Sequence, residues 1–287
     1  MLTTVKICGL STAPTLGAAL DAGADMVGLV FFERSPRFVA LELARDLAAQ
    51  ARGRAKIVAL AVDPDDKTVA AIVETVGPDM LQLHGKENPE RVAQIRDRFG
   101  AAVIKALGVA EAVDFDRARD YERAANWLLI DAKPPKGATR PGGNGAPFDW
   151  RLARDFAPRL PWLLSGGLEP GNVGEAIRLS GARGVDVSSG VESAPGVKDI
   201  ERIKAFVAAA RAASPLAGDG GGRRPPDEGS RRKALVGHGQ RKRHPHHRPH
   251  SPRREAGALR RRPLIRPLRG HLPPQGGKRR VRRRRTP

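Results

Sequence analysis

The chain has 287 residues, 40% of them hydrophobic and 4% aromatic, with a formal net charge of +20. Residues 214–287 hold 23 of the 51 Lys and Arg but only 4 of the 31 Asp and Glu, so residues 1–213 are close to neutral and the charge says little about them. A single cysteine excludes an internal disulfide and a multi-cysteine zinc site; no run approaches the roughly 18 apolar residues of a membrane span, and no leader pattern opens the chain, so a cytoplasmic location is expected.

Through residues 1–213, short β-branched or apolar runs alternate with longer amphipathic stretches. The first run, 5–8, ends on the lone cysteine, Cys8, and turns at once on Gly9. The others lie at 26–32, 57–62, 80–83, 102–106, 127–131, 162–165 and 185–188. Their starts are roughly 20–35 residues apart, the length of a strand-plus-helix unit. Between them, 69–76 has helical spacing and stops at Gly77 and Pro78, and Asn172 with Glu175 has capping-box spacing. Residues 200–207 form the last helix of this region. Gly23 and Gly181 stand before the second and eighth runs, where a helix end turns back left-handedly toward a strand. Apolar strands joined by helices predict a parallel sheet covered by helices. Eight such units predict an α/β fold, a single-domain (β/α)8 TIM barrel over 1–213.

Active sites of such barrels are built from the residues that follow each strand. Those residues are Cys8-Gly9, 32–37, Asp63, 82–85, Lys105, 131–133, 165–167 and 188–190. Several carry two readings. Cys8 is either a buried small hydrophobe or a reactive thiol. Asp131 caps a helix, pairs with Lys133 or does acid–base chemistry. Arg37 is a solvated loop cation or a bidentate clamp for a carboxylate. His84, the one histidine of this region, is structural or functional. Gly166-Gly167 and Ser188-Ser189-Gly190 follow strands 7 and 8, where barrel enzymes hold phosphate on backbone amides. The stretch 141–145 reads as a substrate-covering loop or a linker.

Taken together, Val5-Lys6-Ile7-Cys8-Gly9-Leu10, Phe32-Glu33-Arg34-Ser35-Pro36-Arg37-Phe38-Val39, Leu81-Gln82-Leu83-His84-Gly85, Leu129-Ile130-Asp131, Leu164-Ser165-Gly166-Gly167-Leu168 and Val185-Asp186-Val187-Ser188-Ser189-Gly190-Val191-Glu192 resemble the successive motifs of the phosphoribosylanthranilate isomerases. The resemblance spans about residues 3–210. Asn144 departs from it, standing where the family's loop most often has threonine. It implies an Amadori rearrangement in tryptophan biosynthesis, on a small-molecule substrate and with neither metal nor organic cofactor. It further implies Asp131 as general acid and Cys8 as general base, the carboxyl partly protonated and the thiolate accessible. Arg37 would hold the anthranilate carboxylate, and Gly166, Gly167, Ser188, Ser189 and Gly190 the phosphate. Gln82, His84 and Asp186 would face the substrate, and the enzyme would be a monomer or homodimer. The related histidine-pathway isomerase has aspartate in place of Cys8. Indole-glycerol-phosphate synthase would want a lysine and glutamate set that is not seen at the matching strand ends.

Residues 214–287 are a different material. With 11 prolines, 11 glycines and an Arg:Lys ratio of 20:3, they read as a disordered basic tail. Its arginine runs could neutralise nucleic-acid phosphates non-specifically, but it has no Phe, Tyr or Trp to stack on bases. The composition fits GC-rich DNA read out of frame after a frameshift near codon 214 better than an evolved binding arm.

Overall fold

A computed structural model describes residues 2–133 and 148–213. The expected tail 214–287 and the loop 141–145 lie outside the described residues. All eight expected strands are present: β1 (Thr4–Cys8), β2 (Met26–Val30), β3 (Lys56–Ala61), β4 (Met80–Leu83), β5 (Ala102–Val109), β6 (Trp127–Ala132), β7 (Trp162–Leu164) and β8 (Gly184–Val187). They pair in parallel in chain order, and β8 returns to β1, closing the barrel. A small antiparallel hairpin follows, β9 (Glu192–Ala194) and β10 (Val197–Lys198).

The covering helices are α1 (Ala13–Asp21), α2 (Leu41–Ala51), α3 (Asp66–Val76), α4 (Pro89–Phe99), the short α5 (Ala118–Tyr121), α6 (Val173–Ser180) and α7 (Ile200–Ala212). Three start on side-chain caps: Asp65, Asn88 and Asp199 accept from the amides of Thr68, Arg91 and Arg202. Each cap satisfies a donor that the first helical turn leaves open. Gly23 and Gly181 have the expected positive φ, 86° and 69°. Asn172 does not cap α6 as its spacing suggested. Its carboxamide turns back, accepting from Glu169 N and donating to Gly167 O at 2.9 Å, and so ties down the loop after β7. Between β6 and β7 the described chain forms a 3₁₀ turn, Trp150–Ala153.

Strand side chains alternate in direction, and the alternation sorts two cores. Outward residues such as Val5, Ile7, Val27, Leu29, Leu81 and Leu128 pack with the helices. Met26, Val58, Met80, Ile104, Ala106, Leu129 and Leu163 fill the barrel interior. Two residues along from this inner layer, toward the strands' carboxyl ends, the inward positions turn polar: Gln82, Asp131 and Ser165. Lys105 is not among them. β5 runs on to Val109, so Lys105 lies mid-strand on the outward side, buried with Glu87 (Nζ–Oε2 2.7 Å).

Candidate active site

Cys8 ends β1 opposite Gly28 of β2. A Cβ at Gly28 would stand 2.8 Å from the sulfur, so the missing side chain makes the space the thiol occupies. Gly9 follows with φ 77°, and a Cβ there would meet Arg37 Cδ at 2.6 Å. This turn needs glycine both for its backbone and for the arginine stem crossing it.

The thiol is only 3% exposed, which corrects the expectation of an accessible thiolate. Burial pushes the Cys8 pKa up; Lys6 pulls it down, Asp186 pushes it up, Lys198 pulls it down, and burial prevails. Lys6, two residues earlier on the same face, is fully buried and bonded to Asp186 of β8 at 2.7 Å. Burial works to lower its pKa, but Asp186 and Cys8 outweigh it and the ammonium is held charged. Ser165 reaches the other oxygen of Asp186 at 3.4 Å.

Asp131, on β6, is 6% exposed. Its Oδ1 accepts from Ala132 N at 2.9 Å, and His84 Nε2 lies 3.3 Å from its Oδ2. Lys133 pairs with Asp114 instead, which removes the surface-pair reading of Asp131. Gln82 lies 3.0 Å from His84 Nδ1 through its amide nitrogen. With the amide nitrogen on that side as donor, Nδ1 accepts and the imidazole proton is assigned to Nε2, on the side of Asp131.

Arg37 is no solvated cation. Nε and Nη2 donate to the two oxygens of Glu192, at the start of β9, at 2.7 and 2.9 Å. Among the described residues Nη1 meets no acceptor, and it is not sealed from solvent, so one edge of the guanidinium stays open. Lys198, on β10, shares Glu192 at 2.7 Å and donates to Ser188 O at 2.8 Å. Burial favours neutral Glu192, yet Arg37 and Lys198 outweigh it and hold its pKa below the ordinary carboxylate range. Burial lowers the Lys198 pKa, with Glu192 opposing and Arg37 assisting, since two cations compete for one carboxylate.

The glycine loops lie beside this cluster. Gly166 has φ 88°, and a Cβ on it would stand 2.7 Å from Ala132 N and 3.2 Å from Asp131 Oδ1. A Cβ on Gly190 would run into Leu168 O, so the loops after β7 and β8 interlock without side chains between them. Among the described residues the amides of Gly166, Gly167, Ser189 and Gly190 find no protein acceptor. The Ser188 hydroxyl, by contrast, is committed to Cys8 O at 3.1 Å.

The strand ends therefore assemble Cys8, Gln82, His84, Asp131 and Asp186 at inward positions, with Arg37 and the glycine loops around them. Gly28, Lys6, Glu192 and Lys198 belong to the same assembly and were not singled out from sequence. The one available signal was a glycine inside an otherwise apolar strand at 28. No group of three His, Cys, Asp or Glu among the described residues could hold a metal ion, and no helix among them is long and apolar enough to cross a membrane.

Fold and site together are those of a (β/α)8-barrel enzyme equipped for acid–base chemistry. A family model for N-(5'-phosphoribosyl)anthranilate isomerase matches residues 5–209. The Rhodopseudomonas palustris (strain BisA53) protein of that name is 60% identical over 212 residues, 74% of this chain and 97% of the relative. The Nitrobacter winogradskyi one is 57% identical over 209 residues, 73% and 93%. Among solved structures, phosphoribosyl anthranilate isomerase from Thermotoga maritima superposes with a TM-score of 0.67 at 35% identity, covering 74% of this chain and 100% of that one. A phosphoribosyl anthranilate isomerase in complex with reduced 1-(o-carboxyphenylamino)-1-deoxyribulose 5-phosphate does so with a TM-score of 0.64 at 33% identity, covering 74% and 100%. The chain belongs to the N-(5'-phosphoribosyl)anthranilate isomerase family.

Proposed function

We infer that Cys8 and Asp131 carry out the aldose-to-ketose isomerisation of N-(5'-phosphoribosyl)anthranilate to 1-(2-carboxyphenylamino)-1-deoxyribulose 5-phosphate, the tryptophan-biosynthetic activity of the family. The observation that carries this reading is the placement of one thiol and one carboxyl at inward positions of β1 and β6, beside loops whose amides find no protein acceptor among the described residues.

Asp131, as a carboxylic acid, gives its proton to the ribose ring oxygen. The C1–O bond breaks and the anilino nitrogen's lone pair forms the iminium. The Asp131 carboxylate left behind keeps the Ala132 amide on one oxygen and faces His84 with the other. The Cys8 thiolate then removes the proton from C2, and those electrons neutralise the iminium to give the enolamine, which ketonises to product. The raised pKa of Cys8 makes its thiolate scarce in the empty site but strongly basic once formed. The iminium, a cation created beside the sulfur, favours the thiolate at the step that uses it.

The open edge of Arg37 receives the anthranilate carboxylate, while Glu192 holds the other edge. The amides of Gly166, Gly167, Ser189 and Gly190, which have no protein acceptor among the described residues, take the phosphate. Loss of phosphoribosylanthranilate fluorescence measures the reaction. Cys8→Ser and Asp131→Asn are each expected to abolish turnover while leaving affinity for the reduced product analogue within a few-fold. Near-normal turnover in either variant removes the role assigned to that residue.

A further inference from the structure

Gln82 is unusual among the residues that fill the barrel. It is 1% exposed, and its Oε1 is buried without a hydrogen-bond partner among the described residues. An orphaned buried carbonyl costs stability, and an unbranched apolar side chain of the same length would not bear that cost. The opposite end of the same carboxamide meets His84 Nδ1 at 3.0 Å, and His84 Nε2 faces Asp131 Oδ2 at 3.3 Å.

We propose that Gln82 and His84 are positioning residues for the acid Asp131, with Gln82 acting wholly through His84. This rests on the reading of Asp131 as the general acid. The Gln82 NH2 donates to Nδ1 and thereby fixes the imidazole proton on Nε2. Nε2 lies 3.3 Å from the oxygen of Asp131 that the Ala132 amide does not serve, close enough to reach it with a small turn of the ring. When Asp131 gives up its proton, negative charge appears on a carboxylate already bonded to the Ala132 amide and within 3.3 Å of His84 Nε2. The 3.3 Å separation shortens as that charge develops, since hydrogen bonds of this kind tighten in the reacting complex. The other tautomer would present a bare lone pair to the carboxylate and oppose the same step. Both residues sit on the wall beside Asp131 and so serve the reaction through the acid.

The claim that one residue acts through another has a direct test in the full chain. His84→Leu removes a donor to a developing carboxylate and lowers kcat roughly 10- to 100-fold, the worth of one bond to a charged group. His84→Gln, which restores an NH2 donor, recovers part of that loss. Gln82→Met lowers kcat about 3- to 10-fold, the worth of one neutral hydrogen bond, with KM unchanged. The double variant is no slower than His84→Leu alone, because the effects of Gln82 are already spent. The Tm of Gln82→Met does not fall, since the orphaned oxygen goes with the amide. Nitrogen-15 spectra of His84 change from a single Nε2–H tautomer to a mixture. Losses that multiply in the double variant, an unchanged tautomer in Gln82→Met, or a fall in Tm that parallels the fall in rate would each overturn the proposal. Asp131→Asn separates the two levels of argument. If that variant is active, the acid assignment itself is wrong; if it is inactive while Gln82→Met matches the parent, only the positioning role fails.

Discussion

Replacing Gly28 with alanine displaces the proposed base, Cys8, without substituting any group that titrates. The added Cβ would lie 2.8 Å from Cys8 Sγ, 3.0 Å from Cys8 Cα and 3.3 Å from Cys8 Cβ, where ordinary contact begins at 3.4–4 Å. Rotation of the thiol relieves the first contact alone, because the second is with backbone in the paired strand. The sulfur must therefore retreat by about 1 Å, a displacement that costs a reacting group on the order of 10²-fold in rate. That factor corresponds to about 2.7 kcal/mol of barrel-mouth geometry lost from the transition state. Overpacking a filled interior also costs about 1–3 kcal/mol of stability. For a domain of this size that lowers Tm by roughly 2–4 °C per kcal/mol. The assay is the saturated rate of fluorescence loss at a temperature well below the variant's own Tm, together with affinity for the reduced product analogue. Affinity within a few-fold and a rate down about a hundredfold are expected. A rate within threefold of the parent would refute the reasoning, for it would mean that the position of Cys8 Sγ does not govern turnover.

Two further outcomes follow from the charges around the site. Lys198 favours the Cys8 thiolate, and Glu192 keeps its Arg37 partner without it, so Lys198→Met raises the thiol's pKa further. Because the thiolate is the reactive form, the rise of kcat/KM with pH moves to higher pH; an unmoved rise rules out that influence. On the outer side of β5, Lys105→Met strands the Glu87 carboxylate and costs about 3–5 kcal/mol by denaturant unfolding. Adding Glu87→Leu does not restore the loss, because the amides of Asp63 and Gly85 then lose their acceptor; full recovery in the double variant would contradict this.

The features most legible in the sequence were those set by local pattern. Eight strand-length apolar runs at a steady interval specified the barrel, and polar residues at their ends specified the mouth. Cys8 and Asp131 could be picked out because each terminates a run whose inward or outward direction is fixed by alternation. Lys105 was misplaced because it was read as following the fifth strand; it lies inside β5, between the inward-facing Ile104 and Ala106, so alternation turns it outward. The ionisation of Cys8 went the other way from expectation because its surroundings depend on Gly28 and Asp186, brought in from the two neighbouring strands, as well as on Lys6 of its own strand. Glu192 and Lys198 escaped notice for the same reason. Their sequence surroundings are those of a plain surface hairpin, and their importance arises only where that hairpin meets the Arg37 loop. Asn172 had the spacing of a cap, yet the loop before it offered its carboxamide better partners.

The pairing of β8 with β1 has a consequence for how the chain gains activity. The proposed base and acid, Cys8 and Asp131, ride on β1 and β6, which are not neighbours, so no local element sets their separation. It becomes fixed only when the ends of the sheet meet, a contact between residues 180 apart that seats Lys6 on Asp186 and Ser188 on Cys8. Long-range pairings of this kind come late in folding, after many loops have closed. An intermediate with β1 to β6 in place holds both side chains proposed for the chemistry and still lacks the site that sets them against each other. Turnover during refolding therefore dates the docking of the last strand, and a chain that never completes the ring stays silent however much native structure it has.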